Sequence, residues 1–138
     1  MEQGLHYIEQ VERIREIFER EIKGFPVAHC SDAARVVHIL TGLQEVGGIR
    51  VGYDIFNACN YDPGRKLYVD ITADQFPNCS EKVSVFNDFF VFSQREYFTE
   101  IQRTCHSEKM RSLVGRVIEV ARRDDILQFS NSVCLSKH

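Results

Sequence analysis

Leu5, Ile8, Val11, Ile14, Phe18 and Ile22 recur at three- and four-residue steps, with Glu, Gln and Arg filling the intervals. This spacing predicts an amphipathic helix over residues 2–22, and its single apolar stripe is stable only against a core. The rest of the chain must therefore supply a second layer. Gly24 and Pro26 end the helix, as Gly at a C-terminus and Pro just beyond it usually do. Ala33, Ala34, Val36, Val37, Leu40 and Leu43 repeat the helical spacing, predicting a second helix that starts at Cys30 and stops near Gly47-Gly48.

From Ile49 the period changes. Residues 49–56 and 66–71 alternate β-branched and aromatic side chains, as strands do, and Tyr61-Asp62-Pro63-Gly64-Arg65 between them is turn chemistry. The two strands are expected to form an antiparallel hairpin. VSVF and FFVF within residues 83–92 read as further short strands. Residues 96–105 and 108–123 read as helices, the last with Met110, Leu113, Val114, Val117, Ile118 and Ala121 as its apolar stripe. The expected fold class is α+β, one domain over residues 1–138 with helices flanking a small antiparallel sheet.

A chain of 138 residues can bury a core large enough to fold without staples or metal. A formal net charge of -3 lacks the basic excess that phosphate-backbone binding needs, which argues against a nucleic-acid partner. No stretch approaches the roughly 20 apolar residues of a membrane span, and residues 1–25 hold no apolar run of a secretory signal. The five cysteines, Cys30, Cys59, Cys79, Cys105 and Cys134, cannot all pair within one chain and form no C-x-x-C. These features predict a reducing cytoplasm, or export without such a signal. No ligand pair has a recognised metal spacing, so no metal or cofactor is expected.

Cys30 stands where the macrodipole and free backbone N–H groups of a helix start favour the thiolate, and where those N–H groups can hold an oxyanion. Taking 62–65 as the hairpin loop pairs Tyr61 with Lys66 and sets Asn57 directly opposite Asp70, within reach across the ladder. Asp70 lies between Val69 and Ile71, and a carboxylate in such a setting has a partner.

Ala28-His29-Cys30-Ser31-Asp32-Ala33-Ala34, and later Val69-Asp70-Ile71-Thr72-Ala73-Asp74-Gln75-Phe76, resemble the small bacterial papain-like or transglutaminase-like cysteine hydrolases. In those proteins a GHCSDA-type nucleophile segment precedes a HAWLE strand and a DITADQF segment. The resemblance spans residues 26–98. It implies a nucleophile helix on a small antiparallel sheet, with Cys30 as nucleophile and Asp70 as the acid that orients the base. It further implies Gln75, Ser31 and His29 beside the substrate, with Gln75 and Phe76 shaping the site. Asn57 stands at the base position, where the family has histidine, and Cys59 stands at the following tryptophan. An amide takes no proton near neutral pH. His38 lies about 12 Å along the helix from Cys30, too far to substitute. His6 and His138 lie near the termini, and His106 follows Cys105.

Three functions follow as expectations. The first is a hydrolase or acyltransferase acting on a protein or peptide-like amide through a Cys30 thioester. The second is an impaired relative that binds or regulates. The third is a plain interaction domain using its outer helices, with Arg116, Arg122 and Arg123 on the last. Cys59 either fills the tryptophan position with a smaller side chain or forms a redox pair with Cys30.

Overall fold

A computed structural model describes residues 7–25, 30–53, 55–76, 79–104 and 108–123. Four helices, α1 (Tyr7–Glu21), α2 (Cys30–Thr41), α3 (Gln94–Thr104) and α4 (Glu108–Arg123), accompany five strands. These are β1 (Gln44–Arg50), β2 (Phe56–Asp62), β3 (Leu67–Asp70), β4 (Ser84–Phe86) and β5 (Phe89–Val91), in the order β4-β3-β2-β1-β5 with all four pairings antiparallel. The molecule is thus a mixed α+β fold.

Of the predicted α1 stripe, Leu5 lies outside the described residues and Ile8 is partly buried, while Val11, Ile14, Phe18 and Ile22 are buried in one core with Val36, Val37 and Leu40 of α2, Val117 and Ala121 of α4, and Val69 and Ile71 at the end of β3. Each large side chain removed from water here stabilises the fold by roughly 1.5–3 kcal/mol. The side chains of Met110 and Leu113 lie outside the described residues. Among the described residues no helix is long and apolar enough to cross a membrane.

The middle of the chain departs from expectation in two places. The second helix ends at Thr41, where Gly42 adopts φ 85° and its N–H caps the His38 carbonyl at 2.9 Å. Gly47 and Gly48 do not end it; they lie inside β1. A Cβ on Gly47 would collide with the Tyr97 ring, and one on Gly48 with the Phe90 carbonyl. They are close-approach glycines of a strand, whose sequence mark is the same as that of a turn. The strand expected over residues 49–56 is accordingly split between the end of β1, a turn and the first residue of β2.

The second departure is the hairpin register. Asp62 pairs with Leu67 and Tyr61 with Tyr68, so the loop is 63–66 and not 62–65. Asp62 sets this by accepting the Gly64 and Arg65 N–H groups at 3.0 and 3.3 Å through Oδ1, while its carbonyl takes the Lys66 N–H at 2.8 Å. Asn57 is therefore displaced by two residues from the position opposite Asp70. A shift of two keeps both on one face.

The sheet is curled. Arg50 at the end of β1 reaches Ser84 on β4 at 3.3 Å and lays its guanidinium 3.9 Å from the Phe86 ring centre, while Phe86 of β4 and Phe89 of β5 approach to 5.9 Å. The outermost strands thereby meet across the face that carries Cys59, Tyr68 and Asp70.

Candidate functional site

Cys30 is the first residue of α2 and leans on the small cluster of Ala34, Ala58 and Tyr97. The β2–β3 ladder extends only from Asp62 to Asn60. Beyond its end the Ala58 N–H donates to the Cys30 sulfur at 3.4 Å instead of to a third strand. The helix itself is tied to the same strand by Asn60, whose Nδ2 donates to the Ala34 carbonyl at 2.9 Å. A cysteine at a helix start and a frayed ladder thus meet because α2 is docked along β2.

Asn57 precedes Ala58 and is 1 % exposed. Its Nδ2 donates to Asp70 Oδ2 at 2.8 Å, and its Oδ1 accepts Gln75 Nε2 at 3.4 Å. The other Asp70 oxygen accepts the Thr72 N–H at 2.8 Å and the Thr72 hydroxyl at 2.7 Å, and Gln75 Nε2 also reaches that hydroxyl at 3.0 Å. Burial raises the pKa of Asp70 by more than these bonds lower it. Asn57, Asp70, Thr72 and Gln75 are therefore assembled in one hydrogen-bonded group, and Cys30 adjoins it through the Ala58 N–H, the residue next to Asn57.

Ser31 is buried. Phe76 is also buried and sets its ring against Tyr53 with centres 5.2 Å apart, a packing role. His29 lies outside the described residues, as do His6, His106 and His138. His38, the one histidine among the described residues, sits in the last turn of α2 with Nδ1 2.9 Å from the Leu43 carbonyl.

Cys59 is fully buried, and desolvation first, then the nearby Asp70 and Cys30 charges, pushes its thiol well above the ordinary range. Cys30, Cys59 and Cys79 take part in no disulfide among the described residues. Among the described residues no group of three metal-ligating side chains forms a cation site.

Two contributors escape the sequence reading. Thr72 completes the hydrogen bonding of Asp70; its mark is the Asp-x-Thr spacing, in which an aspartate accepts the N–H two residues on. Arg15, 3 % exposed on the inner side of α1, grips Asp74 at 2.6 and 2.8 Å and the Ile71 carbonyl at 2.8 Å. It fixes the segment that delivers Thr72 and Gln75. Its mark is an arginine one turn from both Val11 and Phe18 on an otherwise apolar stripe. Comparison with protein-family models, curated proteins and solved structures finds no match for this chain.

Proposed function

We propose that this chain is a papain-like or transglutaminase-like cysteine-hydrolase scaffold whose base position holds an amide, so that it binds a peptide-like amide at Cys30 without rapid turnover. The observation that carries this reading is the Asn57 to Asp70 bond at 2.8 Å. Asn57 donates to the acid as a catalytic imidazole donates to its orienting carboxylate, yet it neither removes the thiol proton nor returns one to a leaving amine. A binding or regulatory module follows from that chemistry.

A slow acyl-transfer activity is the second reading, favoured by the Ala58 N–H on the Cys30 sulfur at 3.4 Å. In it the Cys30 thiolate attacks the carbonyl carbon, the C–N bond breaks, the amine leaves with a proton taken from water, and hydrolysis of the thioester returns the thiol and a carboxylic acid.

Hydrolysis of p-nitrophenyl acetate, which needs no protonation of its leaving group, separates the two. Asn57→His should raise steady-state turnover by about 100-fold, the lower range for a positioned general base. Cys30→Ala in that background should abolish the gain. No gain in Asn57→His, with the protein folded, would contradict the impaired-scaffold reading, and Cys30-dependent turnover in the natural chain at the same level would establish the slow-enzyme reading in its place.

A further inference from the structure

A cleft of about 400 Å³ opens between the C-terminal half of α2, β1 and α3, within the size range of small-molecule pockets. Its walls carry Arg35, His38, Glu45, Phe92, Tyr97 and Phe98. The Glu45 side chain, 12 % exposed, accepts Arg35 Nε at 2.6 Å and also the Tyr97 hydroxyl. Burial first, and Glu45 next, raises the Tyr97 pKa, so the hydroxyl remains a donor. The one carboxylate of the cleft is thereby matched by a cation and a donor, leaving the wall polar but without net charge. A charged ligand group would have to compete with this pairing.

The apolar part is open. Phe98 is 48 % exposed and Phe92 is half-buried, and a large apolar side chain left to solvent beside a concavity marks a ligand surface. Two residues join the cleft to the thiol. Tyr97 lines it and belongs to the cluster on which Cys30 rests; Gly47 lines it and pairs with Ala58, the donor to the Cys30 sulfur.

We propose that this cleft is the side-chain subsite of the Cys30 site and takes the neutral aromatic group of an amide ligand, with Phe92 and Phe98 as the stacking walls. The proposal rests on the reading of Cys30 as the amide-binding thiol. It makes the ligand an amide flanked by an uncharged ring, in preference to an acidic, basic or small aliphatic one.

The chain contains no Trp, so the fluorescence of N-acetyltryptophanamide excited at the red edge reports the ligand alone. Titration should show saturable binding that Phe98→Ser weakens by about fivefold, the size of one lost aromatic contact. Val85→Ser, on β4 and outside the cleft, should bind as the natural chain does. Saturating ligand should also slow iodoacetamide alkylation of Cys30, followed by peptide mapping. No saturable binding, binding undiminished in Phe98→Ser, or binding that leaves Cys30 alkylation unchanged would each overturn the proposal. Inertness of Cys30 to iodoacetamide in the ligand-free protein would instead overturn the reading of Cys30, while the Phe98 dependence would still decide the aromatic cleft.

Discussion

Asn57 determines what the neighbouring groups can do. Its amide donates to Asp70 and accepts from Gln75, so both of its ends are committed. Burial outweighs the hydrogen bonds from Thr72 and Asn57 and the Arg50 charge, so the Asp70 pKa is raised. A carboxyl whose folded pKa exceeds its unfolded one contributes stability that is complete below the ordinary value of 3.8 and is lost as pH rises through the raised folded value. Urea unfolding measured across that window should show the natural chain losing stability with rising pH relative to Asp70→Asn, which lacks the titration. Parallel pH profiles for the two proteins would contradict the assignment. Cys59 is governed by the same desolvation: buried and protonated, it has the character of a small apolar side chain filling the curled sheet.

At the level of elements, the site depends on α1 as much as on α2. Arg15 crosses from α1 to hold Asp74 and the Ile71 carbonyl, and it stacks its guanidinium 4.9 Å from the Phe25 ring centre. Arg15→Met should destabilise the protein by about 3 kcal/mol, the lower end for breaking a buried pair because Asp74 is partly solvated. Denaturant midpoints at constant slope would measure it, and a loss below about 1 kcal/mol would show that the segment holds itself.

The helices were legible in the sequence because a 3.6-residue apolar period survives in Val11, Ile14 and Phe18, and in Val36, Val37 and Leu40. The strands were less so. Gly47 and Gly48 carry the signature of a break, yet Tyr97 and the Phe90 backbone, distant in sequence, require their missing Cβ atoms. The two-residue register offset arose because Asp62 closes the turn through its own side chain. Its even size is why the shared face of Asn57 and Asp70 survived the error. The partners of Asp70 beyond Asn57 and the grip of Arg15 depend on tertiary approach, which local patterning does not encode.

For the molecule as a whole, helices on one side of a curled antiparallel sheet bring a helix-start thiol, a buried amide and a buried acid from three elements to the place where the β2–β3 ladder ends. On the proposed reading these residues supply the thiol and the acid of a thiol–base–acid arrangement, with Asn57 in place of the base. The pH dependence of Cys30 alkylation by iodoacetamide, compared between the natural chain and Asn57→His, reads this directly. A histidine installed against Asp70 should pair with the thiol as imidazolium and thiolate, extending reactivity to lower pH and raising the rate near pH 6 by about tenfold. The natural chain should follow a single thiol ionisation. Superimposable profiles for the two proteins would contradict the claim that Asn57 occupies the base position.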